Sequence, residues 1–229
     1  RLWVQLARRW AEHGLIVLRL DLSGVGDSPS RESTQDNVVY SAEAQHDIAL
    51  ALSFMRELVG QEGECHLMGL CSGAYHTFKA AVAGERMTSA LMINPLTFNW
   101  IVGTPLNDVI KDYEVISLSS KYRRNLLSKE PWLKLVRGQL DFRYIFGVAI
   151  RRVLAFVQPA VAEIARIVGI PLRDDIAADL KAIAARGVPQ HYVFAIGDPG
   201  EVLLRRQSGR VLNKLIAGKQ LSICRIPDA

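Results

Sequence analysis

The stretch from Cys65 to Tyr75 limits what this chain can fold into more than any other. An apolar run, Leu67-Met68, enters Gly69-Leu70-Cys71-Ser72-Gly73, and a small-residue helical pattern (Ala74, Phe78, Ala80, Ala81, Ala83) follows and closes at Gly84. This is the pattern of a buried strand that turns sharply into a helix, the apex residue held in a strained backbone geometry with its side chain exposed. Glycines flank the apex because strand and helix backbones come too close there for a Cβ. The apex is Cys71. A thiolate in that place is stabilised by the positive end of the helix dipole. The backbone N–H of Ser72 would point at the oxyanion formed when Cys71 attacks a carbonyl. Two plainer readings stand beside this one. Cys71 could be a structural cysteine between two chance glycines, or the adjacent hydroxyl of Ser72 could be the nucleophile; at an elbow, however, that residue already opens the helix and contributes its amide.

The flanks carry the rhythm of alternating strand and helix. Leu2 to Ala11 reads as an amphipathic helix ended by Gly14, and Leu15 to Leu22 as a buried strand. Ser23-Gly24-Val25-Gly26-Asp27-Ser28-Pro29 is a tight loop; no third glycine follows at the spacing of a dinucleotide site, and Pro29-Ser30-Arg31 does not open a helix. Apolar residues at helical spacing (Ile48, Leu52, Met55, Val59) place a surface helix over residues 41–59, and Thr88 to Asn94 is another buried strand, ended by Pro95. Later, Asp174 to Ala185 is helical, His191 to Ile196 a strand, Glu201 to Ala217 a helix stopped by Gly218, and Leu221 to Ile226 a strand. The expected architecture is α/β: a mostly parallel, doubly wound sheet with helices on both faces. In such sheets the working groups gather at the carboxyl ends of the strands.

The rhythm breaks between Pro95 and Leu172. Helical patterns run from Trp132 to Ile150 and from Val153 to Ile170, with no clear strand. Eleven basic residues there face six acidic ones, an excess equal to the net charge of +5 for all 229 residues. The basicity is therefore local to this insertion. A helical insert over the carboxyl edge of the sheet would be a lid, and its positive field would favour an anionic substrate or an acidic carrier protein presenting one. The alternative is a solvated helical face with incidental lysines and arginines. Aromatic–basic interleaving is lacking, so no nucleic-acid partner is expected. The division expected is a core of residues 1–94 and 187–229, with 95–186 as the lid insertion and return helix.

Further constraints come from composition. A content of 49% hydrophobic and 22% charged residues is that of a globular chain rather than a disordered one, and no stretch is long and apolar enough for a membrane span. Three widely spaced cysteines (Cys65, Cys71, Cys224) give neither a disulfide frame nor zinc-ligand spacing. With no signal-peptide pattern at the start, the expectation is cytoplasmic, without metal or cofactor. Directly after the strand at 191–196 comes Gly197-Asp198-Pro199-Gly200. Alone this is an ordinary turn; downstream of an elbow, Asp198 occupies the place of a carboxylate that orients a catalytic histidine.

Taken together, Asp21 to Ser28 after one strand, Gly69-Leu70-Cys71-Ser72-Gly73, and Asp198 after a late strand resemble the α/β-hydrolase superfamily, closest to its serine-aminopeptidase-like and lipase-like branch with a helical lid. The resemblance covers most of residues 1–94 and 187–229. It implies the α/β-hydrolase fold, with Cys71 as nucleophile, Asp198 as the acid and the Ser72 N–H as oxyanion donor. Cysteine at the nucleophile position is similar to the dienelactone-hydrolase-like group. The family's histidine follows its last strand, and none of His13, His46, His66, His76 and His191 fits that role. A chain that opens directly in a helix is expected to be a piece of something longer, with the histidine a few residues past Ala229 and the second oxyanion donor before Arg1. The implied activity is that of an ester or thioester hydrolase working through an acyl-cysteine, or an acyltransferase, on a small-molecule acyl substrate. The other class to weigh is a catalytically inactive binding or scaffold protein on the same fold.

Overall fold

The computed structural model describes residues 2–31, 37–60, 62–100, 161–166, 168–170 and 172–227. The elements in order are α1 (Leu2–Glu12), α2 (Ala44–Val59), β1 (His66–Leu70), α3 (Ser72–Ala83), β2 (Ser89–Ile93), α4 (Ile176–Ala185), β3 (Gln190–Ala195), α5 (Pro199–Ser208), α6 (Arg210–Ala217) and β4 (Leu221–Ile226). Most of the expected lid, including the pattern from Trp132 to Ile150, lies outside the described residues.

The four strands form one parallel sheet in the order β1-β2-β3-β4, with Leu70 opposite Ile93, Ile93 opposite Val193 and Ala195 opposite Ile226. Strand order follows chain order. Right-handed crossovers, the nearly universal hand, then bring each connecting helix back onto the same face. The period-two pattern records this: Gln190, Tyr192 and Phe194 are fully buried, whereas His191 between them is exposed. On the covered face Phe78 of α3, Leu180 and Ile183 of α4, and Leu204 and Leu212 of α5 and α6 close over Met92, Tyr192 and Phe194. The one buried amide in this layer, Gln190, donates to the Leu180 carbonyl at 3.1 Å and accepts from the Tyr192 hydroxyl at 3.4 Å. Among the described strands the sheet is all parallel and winds in one direction, which bears out the parallel α/β character.

Two expectations are corrected. Residues 15–22 are not a buried strand: they pair with no strand among the described residues, and Leu15, Ile16, Leu18 and Leu20 are exposed. Only Leu22, at the end of the run, packs against the core. The run expected as one helix over 201–217 is two, α5 and α6, broken at Gly209, whose φ of 55° and ψ of −132° glycine adopts without the cost a Cβ would bring. Arg166, in a helical stretch at 161–166, fixes this corner: it pairs with Asp175 at 2.6 Å and Glu163 at 3.1 Å and donates to the Gln207 carbonyl.

Candidate functional site

Cys71 links β1 to α3. Its backbone has φ 56° and ψ −112°, a region that costs a side-chain-bearing residue about 1–3 kcal/mol. Surrounding bonds impose the geometry. The Cys71 N–H donates to the Ile93 carbonyl at 2.9 Å, extending the β1–β2 ladder by one residue, and its carbonyl accepts from Ala74 at 3.1 Å and Tyr75 at 3.3 Å to begin the helix. The thiol is exposed. Ser72 is the first residue of α3, and its N–H has no acceptor among the described residues, as the first amide of a helix has none within it.

The two flanking glycines are not equivalent. A Cβ at Gly69 would stand 2.6 Å from the Ala74 nitrogen and closer still to the Gly73 carbonyl carbon and oxygen, so strand and helix touch there backbone to backbone. At Gly73 an added Cβ meets nothing within 4 Å. The close approach thus requires Gly69 and leaves Gly73 free, half of what the motif implied.

Asp198 follows β3 through Gly197 and is the N-cap of α5, its Oδ1 accepting from the Gly200 N–H at 2.7 Å. The turn is tight enough that a Cβ at Gly200 would run into the Pro95 carbonyl. β2 separates β1 from β3, so the carboxyl ends carrying Cys71 and Asp198 are roughly 10 Å apart. Asn94, with φ 43°, ties that edge together by accepting from the Ala195 N–H at 2.9 Å through Oδ1. Cys71 and Asp198 share a sheet edge and no hydrogen bond joins them.

No hydrogen bond connects any histidine to Cys71. His66 and His191 lie at the amino end of the sheet, on Ser89 and Ser222 at 2.8 Å each, and His13 bonds the Arg9 carbonyl. His46 is exposed on α2. His76 of α3 is buried, donates from Nε2 to the Val39 carbonyl at 2.8 Å, and receives the Gln45 amide at Nδ1 at 3.3 Å. Burial holds the ring below the usual imidazole range, the bond to Val39 opposing in part.

That strut brings in residues the sequence did not single out. It fixes the segment that carries Tyr40, which stacks on Trp100 with ring centres 4.2 Å apart and meets Tyr75, one helical turn beyond Cys71, edge-on at 5.1 Å. Burial, then the neighbouring Cys71 and Tyr75, push the Tyr40 phenol up to about 12, so it stays a neutral O–H donor beside the thiol. Among the described residues that hydroxyl has no hydrogen-bond partner. Tyr75 stands at the four-residue helical spacing from Cys71 and could have been read from it; Tyr40 reaches the site only through tertiary packing. The loop before it is held by Asp47 of α2, which accepts from the Ser23 N–H at 2.8 Å and pairs with Arg31 at 2.5 Å. Among the described residues no helix begins directly after Gly26, so the loop lacks the helix N-terminus of a phosphate cradle.

Among the described residues no group of three or more His, Cys, Asp or Glu side chains is placed to hold a metal ion, and no helix is long and apolar enough to cross a membrane. No protein-family model, curated protein or solved structure matches this chain, and the reading of the site therefore rests on its geometry.

Proposed function

We propose that the chain carries an acyl-transfer site of the α/β-hydrolase kind, with Cys71 as nucleophile. The observation that carries this reading is the exposed thiol on a positive-φ backbone at the start of α3, with the unbonded Ser72 N–H next to it. The Cys71 sulfur attacks the carbonyl carbon of an ester or thioester, and the oxyanion accepts a hydrogen bond from Ser72. The bond to the leaving alcohol or thiol then breaks, and that group leaves with the proton taken from Cys71. Water, or another nucleophile, attacks the acyl-cysteine and frees the thiol. Asp198, one strand away from the β1 edge across β2, has the place of a carboxylate that orients a proton-moving histidine, a role that none of the five histidines of this sequence takes. Tyr40, Tyr75 and Trp100 form an apolar wall for the acyl group, and the excess of basic residues between positions 95 and 172 favours an anionic substrate or one carried on an acidic protein.

The five histidines favour one rival. All are engaged or displaced away from Cys71, as in a protein that kept the fold for binding and lost turnover. Treatment with p-nitrophenyl acetate and an acyl thioester, followed by peptide mass spectrometry, separates the two. The expected result is an acetyl group on the Cys71 peptide that turns over, disappears in Cys71→Ala and persists in Ser72→Ala. Turnover that survives Cys71→Ala refutes the cysteine mechanism, and a stable adduct without turnover supports the binding protein.

A further inference from the structure

The opposite end of the sheet holds a second cleft. It has a volume of about 410 Å³ and lies where β1, β2 and β3 begin, lined by Arg56, Cys65, Glu85, Arg86, Thr88 and Arg186 among others. Cys65 and Cys71 bracket the five residues of β1, so this cleft is on the order of 20 Å from the elbow. Three arginines and a single acidic residue, Glu85, line the cleft. None of the three forms an ion pair among the described residues, whereas Arg31, Arg166, Arg205 and Arg225 all do.

Two of the three are already fixed. Arg56 donates from Nη1 to the Arg86 carbonyl at 2.9 Å, and Arg186 donates from Nη2 to the carbonyls of Ala81 and Val82 at the end of α3. Each bond uses one nitrogen and leaves other N–H groups of the planar fork unspent. Anchoring also removes side-chain freedom before any ligand arrives, which lowers the cost of binding one. The floor is rigid as well: the Cys65 N–H donates to the Thr88 hydroxyl at 2.9 Å, locking the starts of β1 and β2 together.

We propose that this cleft binds a small phosphate ester, its dianionic head held by Arg56, Arg86 and Arg186. Three guanidiniums less Glu85 leave two positive charges, which a phosphate monoester neutralises and a single carboxylate does not. Guanidinium forks match phosphate oxygens in pairs. The volume exceeds what a bare phosphate needs and lies in the range of small-molecule pockets, so room remains for the organic part. The site is independent of the acyl chemistry proposed at Cys71.

The test uses phenyl phosphate, with benzoate as the monoanionic control, at constant ionic strength. Calorimetry should show saturable binding of phenyl phosphate tighter than about 1 mM, and weaker binding of benzoate. Arg86→Gln should weaken it about tenfold or more, the loss of one charge-assisted hydrogen bond. That variant keeps the backbone carbonyl used by Arg56, and its side chain is exposed, so the fold is retained. Bound phenyl phosphate should slow alkylation of Cys65 by iodoacetamide while leaving Cys71 unaffected, and Cys71→Ala should bind as the parent does. Absence of saturable binding, binding unchanged in Arg86→Gln with Arg56→Gln, or protection of Cys71 in place of Cys65 would each overturn the proposal.

Discussion

Replacing Gly69 by alanine is the most direct probe of the elbow. The added methyl group would meet three backbone atoms, the Gly73 carbonyl carbon and oxygen and the Ala74 nitrogen, the last at 2.6 Å, where real Cβ atoms do not come within 3.0 Å. No side chain can rotate away to relieve this, so the start of α3 must retreat from β1 by roughly half an ångström or more in a packed interior. Overpacking of this kind costs about 1–3 kcal/mol, and a backbone-to-backbone clash belongs at the upper end. A loss of about 3 kcal/mol lowers a urea midpoint by roughly 1.5 M for a slope near 2 kcal/mol/M. Gly73→Ala is the internal control: its methyl meets open space on a helical residue, so stability should hold or rise by about 0.5–1 kcal/mol. Urea unfolding followed by far-ultraviolet circular dichroism reads both variants. Midpoints that agree for the two would refute the close-approach argument, since the substitutions are chemically identical and differ only in what the methyl group meets.

Three more outcomes follow from the geometry. His76 is held neutral by burial, so the unfolded chain binds its proton first; stability should be full above pH 6.5 and fall below it, by at most about 1.4 kcal/mol per pH unit from this group, and His76→Gln should flatten that slope in urea titrations. Asp198→Ala removes the α5 N-cap and should cost about 1 kcal/mol, whereas Asp198→Ser should retain stability; if Asp198 orients a histidine, esterase turnover should fall in both variants, and normal turnover in Asp198→Ser would leave the residue a cap alone. Burial works against the Asp175 carboxylate, but bonds from Arg166 and the amides of Ala177 and Ala178 hold it below the usual range; its contribution is present above the ordinary carboxylate value and should be lost as acid takes the solution through the lowered one. Arg166→Ala should cost about 3 kcal/mol by leaving that carboxylate unpaired, and a thermal shift under one degree would contradict the pairing.

What could be read from the sequence was what neighbours along the chain decide. Apolar runs ended by Gly, Pro or Asn located β2, β3 and β4 to within a residue or two, and Gly69 was required by a contact only four residues away. Residues 15–22 failed because an apolar run cannot report whether a strand partner stands beside it. Strand order was not legible for a related reason: alternating strands and helices fix the connection type but not the order of strands. Gly209 was missed because Leu204, Ser208, Val211, Leu212 and Leu215 keep an inward spacing across the break. Tyr40 was missed because its position beside Cys71 comes from His76 reaching back to Val39, a contact between distant residues with no local signature.

The sequential strand order also bears on how this protein acquires its structure. β1 and β2 are separated only by residues 71–88 and β3 and β4 only by residues 196–220, so each pair is a short-range unit able to form early. Residues 94–189 separate the two pairs, and closing that longer span costs about 1.5 kcal/mol more than closing the first by chain entropy alone. Docking β2 against β3 is therefore the late event, and the Asn94 side chain bonded to Ala195 is a latch that only the joined halves can close.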